Sequence, residues 1–202
     1  METGEKPHGA GRSSFAFVDQ DVLFSALSLK PSTVFLDIGC GRGDYTFAAA
    51  DRIGGTGRVY AVDAWREGLD VVEQRARSQG ITTIETLEAN ANIRIPLPGE
   101  SVDAVFMATV FHDLLRGNTG ETALREIRRV LKPAGRLAII EFKKIADSPG
   151  PPLDVRLSSE EVEERIGPFG FTRETLLDVG PYHYLLVASL RKDGEKYTAS
   201  QN

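Results

Sequence analysis

Val34 to Thr46 reads VFLDIGCGRGDYT, an apolar run that already holds an acid and ends in glycines on alternate positions, Gly39, Gly41 and Gly43. A strand that runs straight into glycines is a βα turn in which the missing Cβ atoms let the backbone bend sharply and approach a ligand closely. The spacing excludes two phosphate cradles. A dinucleotide turn takes G-x-G-x-x-G and a P-loop takes G-x-x-x-x-G-K-[ST], and neither occurs here. Asp37, just ahead of the first glycine, would repel a bound phosphate yet suit a ligand that carries an ammonium and a sulfonium. A glycine-rich turn that binds nothing stays open as the plain alternative for this stretch alone.

Helical and extended patterns alternate on both sides of the turn. DQDVLFSALSL, from Asp19, sets Val22, Leu23, Ala26 and Leu27 on one face and predicts a helix that stops before Pro31. TVFLDI is then a buried strand, Asp44 to Arg52 a helix, GRVYAVDA a second strand, and REGLDVVEQRARSQG a helix closed by Gly80. ITTIETLEA, SVDAVFMAT and RLAIIEF read as strands three to five, with TALREIRRVL a helix ended by KPAG before the fifth. Repeated βα units predict a parallel sheet with helices on both faces. SSEEVEERI opens with a capping signal, Ser158 three residues before Glu161, and runs as a helix to about Gly167. FTRETLLDVG and YHYLLVASL are joined only by Gly180 and Pro181, too short a link for a crossover helix, so these strands are expected to be antiparallel neighbours. The expected fold class is α/β, a doubly wound seven-stranded sheet, mainly parallel, with the last strand antiparallel. ADSPGPP, residues 146–152, reads as a stiff surface loop.

Composition narrows the partners. With 202 residues the chain suits one domain, expected from 15 to 192, between a flexible N-terminal segment, 1–14, and a flexible tail, 193–202. A net charge of −5, with basic residues scattered among acids, gives no attraction to a polyanion, so no nucleic acid is expected as partner. No apolar run approaches a membrane span or a secretory signal, and the lone Cys40 fits a reducing compartment; a cytoplasmic protein is expected. Cys40 itself reads as a small residue in a tight turn.

A second acid sharpens the ligand. Asp63 ends the strand VYAVD and lies 20 residues beyond Gly43, the separation at which a carboxylate reaches ribose hydroxyls. Together Asp37 and Asp63 describe a nucleoside with a cationic amino-acid tail. FLDIGCGRGDYT, VYAVDAW, EANANIRIPLPGESVDAVFMATVFHDL and LKPAGRLAIIEF, in this order and spacing, resemble the class I S-adenosylmethionine-dependent methyltransferases, nearest to the ubiquinone and menaquinone C-methyltransferase branch. The resemblance implies a Rossmann-like fold and S-adenosylmethionine as cofactor, with S-adenosylhomocysteine as its product. It implies that Gly39, Gly41 and Gly43 form the cofactor turn and that Asp37 holds the methionine amino group, directly or through water. Asp63 would take the ribose hydroxyls, and Ala64 and Trp65 would pack beside the adenine. EANAN places Asn90 and the Ala91 backbone at the adenine amino group, with the register open between Asn90 and Asn92. Met107 and Ala108 would lie near the methionine portion.

Methyl transfer from a sulfonium is an in-line displacement in which orientation contributes most, and any base serves the acceptor. Candidate catalytic residues come from strand ends: His112 in VFHDL, Glu141 in EFKK and His183 in PYHY. His112 is the first choice, since an imidazole titrates near neutrality; packing at a helix start is its bland reading. His183 is weaker because strand alternation could point it away from the cleft. The two histidines and Glu141 lack a short ligand spacing, so no metal is expected. The absence of [DN]PP[YF] after strand four and of any large insertion makes a small-molecule methyl acceptor the expected partner. Phe15, Phe17, Phe111 and Tyr182 near the presumed cleft would suit an apolar or aromatic one. A nicotinamide-dependent oxidoreductase and a non-catalytic module that binds an adenosyl ligand are the competing readings.

Overall fold

The computed structural model describes residues 11–116 and 120–191. Its elements follow the chain as α1 (Gln20–Leu27), β1 (Val34–Ile38), α2 (Asp44–Ile53), β2 (Arg58–Asp63), α3 (Arg66–Ser78), β3 (Ile84–Glu88), β4 (Val102–Ala108), α4 (Phe111–Leu114), α5 (Gly120–Val130), β5 (Leu131–Phe142), α6 (Ser159–Ile166), β6 (Phe171–Asp178) and β7 (His183–Leu190). The expected flexible ends fall largely outside the described residues. What is described of the first, residues 11–14, lies against the domain: Ser14 is buried and its hydroxyl bonds the Tyr45 hydroxyl at 2.9 Å.

Local signals set the boundaries. The Asp19 side chain caps α1 by accepting from the Asp21 and Val22 N–H groups. Ser158 and Glu161 form the reciprocal capping box of α6. Gly80, at φ +66°, follows α3 in the left-handed conformation that a side chain disfavours. Val22, Leu23, Ala26 and Leu27 share one face of α1: Leu23 and Leu27 are buried together with Phe24, and Val22 and Ala26 are partly buried against the same cluster. One reading is corrected. KPAG does not end a helix. The helix stops at Val130 and β5 begins at Leu131, opposite Val102; the ladder then skips to Arg136 opposite Ala104, so residues 132–135 bulge out of the strand.

The sheet has seven strands in the order β3-β2-β1-β4-β5-β7-β6. Pairing is parallel from β3 to β5, and β7 runs antiparallel between β5 and β6. Strand alternation sends core side chains to both faces of the sheet, and a smaller cluster of Phe47, Ala61, Leu69 and Val72 joins α2 and α3 to β2. Leu36, Val105, Ile139 and Leu186 pack with α5 and α6 through Leu124, Ile127 and Val162. Phe35, Phe106, Ile140 and Leu185 pack with α1 and α2 through Leu23 and Ala49. Each such side chain withdrawn from water stabilises the fold by about 1.5–3 kcal/mol. The strand order reverses between β1 and β4, so the loops after their carboxyl ends diverge and leave a crevice.

Candidate functional site

A cavity of about 760 Å³ fills that crevice. Backbone forms one half. Gly39 and Cys40 both donate to the Val62 carbonyl, at 2.8 and 3.2 Å, which ties the glycine turn to β2. Gly39, Gly41 and Gly43 have φ of +71°, +56° and +83°. They serve different ends. A Cβ on Gly39 would strike Val110 at 2.6 Å and one on Gly43 would strike Val72 at 2.8 Å, whereas Gly41 faces open space. Gly39 and Gly41 line the cavity; Gly43 lies behind its wall as the N-cap of α2.

Asp63 joins the turn to the next loop. Its Oδ2 accepts the Gly41 N–H at 2.8 Å and its Oδ1 accepts the Trp65 N–H at 2.8 Å. A carboxylate oxygen has a further lone pair, so acceptor capacity remains toward the cavity that Asp63 lines. Ala64, Asn90, Ala91 and Ala108 complete this half. Asn90 accepts the Asn92 N–H at 2.9 Å and faces the cavity, while Asn92 is off the wall.

Three other expected residues are also off the wall. Asp37 is 2% exposed, and its carboxyl accepts the Thr46 hydroxyl at 2.6 Å. Burial pushes its pKa up to about 7 against the pull of that hydrogen bond, with the charges of Asp63 and Asp44 adding to the rise. Trp65 lies against Gly68, where a Cβ would meet its ring at 2.5 Å, under the Arg42 guanidinium. Met107 is wholly buried in the core beneath.

Side chains furnish the other half. His112, from α4, is 7% exposed; its Nδ1 lies 2.9 Å from Glu141 Oε2 and its backbone N–H donates to Glu141 Oε1 at 3.0 Å. Glu141, at the end of β5, is fully buried. The carboxylate thus fixes the imidazole and leaves Nε2 as the outward nitrogen, 3.6 Å from Asp113 Oδ2. Burial disfavours the imidazolium, but the hydrogen bond and charge of Glu141, helped by Asp113, outweigh it and raise the His112 pKa. His183 lines the cavity from β7, the side that alternation alone left open. Phe142 stands between the two, its ring 6.2 Å from that of His112 and 4.6 Å from that of His183. Phe17 and Tyr182 line this half edge to face, at 6.0 Å. Phe15 packs instead on Tyr45, and Phe111 is core.

The sequence missed the wall made by Pro149, Gly150 and Pro151 and the residue that holds it. The Arg156 guanidinium, 4% exposed, donates to the carbonyls of Lys143, Ile145, Ser148 and Pro151 and to the Ser148 hydroxyl. The signal was the proline-rich run itself, which follows β5 and so lies at the carboxyl end of the sheet. Among the described residues no group of His, Cys, Asp and Glu is placed to hold a metal ion, and no helix is long and apolar enough to cross a membrane.

Known proteins resemble this chain in sequence and in fold. The profile of a methyltransferase domain matches residues 36–139. The ubiquinone/menaquinone biosynthesis C-methyltransferase of Paraburkholderia phymatum is 40% identical over 120 residues, 59% of this chain and 47% of that protein. The 2-phytyl-1,4-naphtoquinone methyltransferase of Trichormus variabilis is 37% identical over 116 residues, 57% of this chain and 49% of that protein. The chain spans about half the length of these relatives. The crystal structure of a SAM-dependent methyltransferase from Aquifex aeolicus superposes with a TM-score of 0.79 at 32% identity, covering 87% of this chain and 92% of that one.

Proposed function

The chain belongs to the methyltransferase domain family, and from that membership we propose that it transfers a methyl group from S-adenosylmethionine to a small-molecule acceptor. One observation carries the reading: the bare glycine turn, Asp63 and Asn90 converge on one half of a single cavity whose other half holds His112, fixed from behind by the buried Glu141. The residues fit the cofactor, since open space over Gly41 admits a close ligand and the acids nearby oppose an anion. When bound, S-adenosylmethionine supplies an electrophilic methyl group.

The chain's own residues do the rest. Asp63 takes the ribose hydroxyls with the lone pairs that Gly41 and Trp65 leave free. Asn90 and the Ala91 backbone read the adenine, and Ala64 lies beside it. Asp37, behind the wall, balances the amino group by charge or through a water. His112 accepts the acceptor's proton at Nε2, while Glu141 holds the ring by Nδ1 and stabilises the imidazolium that forms. Orientation of the acceptor against this fixed ring supplies most of the acceleration. A cytoplasmic setting belongs to this reading, and the chain's one thiol, Cys40, free and buried, suits a reducing compartment.

Calorimetry tests the reading. S-adenosylmethionine and S-adenosylhomocysteine are expected to bind and NADH is not. Asp63→Ala should weaken both adenosyl ligands by tenfold or more, roughly the loss of a charged hydrogen bond; an affinity kept within a factor of two would show the ribose assignment to be wrong.

A further inference from the structure

His183 opens β7 opposite Phe142 in the antiparallel register. It lines the cavity and is 1% exposed, yet neither of its ring nitrogens has a hydrogen-bond partner among the described residues. A neutral imidazole carries one N–H and one lone pair, so two buried hydrogen-bonding positions stand unused against the cavity. Buried polar groups are nearly always satisfied in folded proteins, and an exception in a cavity wall calls for a partner from outside the chain.

The surroundings define that partner. Burial first, then the positive charges of Lys143 and Arg156, push the His183 pKa down to about 4, so the ring is uncharged at neutral pH. It is a poor base and has no charge with which to draw in an anion. The neighbouring Phe142 ring, 4.6 Å from that of His183 and with the Arg156 guanidinium over it at 5.6 Å, is apolar and also lines the cavity. His112, held up by Glu141, is the basic imidazole of the pair. Two groups of one chemical type thus have environments that push their roles apart.

We propose that His183 is the specificity-determining residue of the acceptor half: it hydrogen-bonds an uncharged polar group, a hydroxyl, carbonyl or ring nitrogen, on a planar acceptor that lies against Phe142 with its reacting atom toward His112. This assignment rests on the methyl-transfer reading. It replaces a proton-transfer role for His183 with a positioning one.

The test uses the full chain, labelled with nitrogen-15, with S-adenosylhomocysteine present and its binding measured in the same preparation. The probes are 2-naphthol, quinoline and naphthalene. The His183 ring resonances, assigned by comparison with His183→Gln, should shift on adding 2-naphthol or quinoline and stay still with naphthalene. The polar probes should bind roughly tenfold more tightly than naphthalene, the discrimination of one buried hydrogen bond. His183→Phe should keep S-adenosylhomocysteine affinity within twofold, erase that preference, and melt no lower than the wild type, because it removes an unsatisfied buried group. Silent His183 resonances up to the probes' solubility limits, or an unchanged preference in His183→Phe, overturn the proposal; if that variant fails to fold, the wild-type spectra decide alone. Loss of S-adenosylhomocysteine binding by the wild type would sink the methyl-transfer reading and this proposal with it, whereas binding with silent resonances sinks only the proposal.

Discussion

Glu141 has no polar partner on the sheet beside it other than those His112 and its own neighbour Phe142 provide among the described residues, so its charge is committed to one imidazole. The folded pKa of His112 lies above its ordinary 6.5, so the stabilisation its proton brings is fully present below about 6.5 and is lost as pH rises through the raised value. Activity that needs the neutral ring rises over that same window. Glu141→Gln should move the rising limb of the pH–rate profile to lower pH, and His112→Ala should lower kcat about a hundredfold or more with S-adenosylmethionine affinity nearly kept. Initial rates between pH 5 and 9 check both. Asp37 gives a second pH signature. Its pKa rises from 3.8 unfolded to about 7 folded, so stability falls as pH climbs between those values, by up to about 1.4 kcal/mol per pH unit. Asp37→Asn should flatten that slope in urea titrations. That Gly39, Gly41, Asp63 and Asn90 would line one cavity was legible because each lies in a contiguous motif at a strand's carboxyl end, whereas Gly43 stands behind the wall. The direction in which His183 points was not, since it depends on register against β5.

Arg156 acts at the scale of an element. It gathers carbonyls between Lys143 and Pro151, a segment outside the sheet, and so sets the wall made by Pro149, Gly150 and Pro151. Gly150, at φ +125°, lies where a Cβ would meet the Phe142 ring at 2.6 Å, so the wall is also fitted to that ring. Arg156→Ala should cost about 2–3 kcal/mol in urea unfolding and raise KM for the acceptor more than for S-adenosylmethionine. An equal rise in both KM values would show that the segment serves the whole cavity. The alternation of helices and strands was readable here from periodicity and turn residues. The bulge at residues 132–135 was not: Lys132, Pro133 and Gly135 look like a helix stop, and only the pairing of Leu131 with Val102 puts them in a strand.

For the molecule as a whole, the antiparallel pairing of β6 and β7 was foreseeable because so short a link cannot hold a crossover helix, whereas the strand order, with β7 between β5 and β6, was not read from the sequence. The cavity's outline was hidden, because it is made by loops that meet only in three dimensions. A ligand that binds only the folded state stabilises it by mass action, about 2.7 kcal/mol at a hundredfold excess over Kd. For a chain of this size that corresponds to a rise in Tm of roughly 5–10 °C. S-adenosylhomocysteine should produce it in a thermal melt and NADH should not. The cavity's unequal construction has an engineering consequence. On the methyl-transfer reading its nucleoside half combines Asp63 and Asn90 with main chain that admits no substitution at Gly39, where a Cβ collides with Val110, while Phe17, Tyr182, Pro149 and Pro151 line the cavity outside that half. On the same reading, libraries confined to those few positions should change acceptor choice while leaving adenosyl-ligand affinity in place.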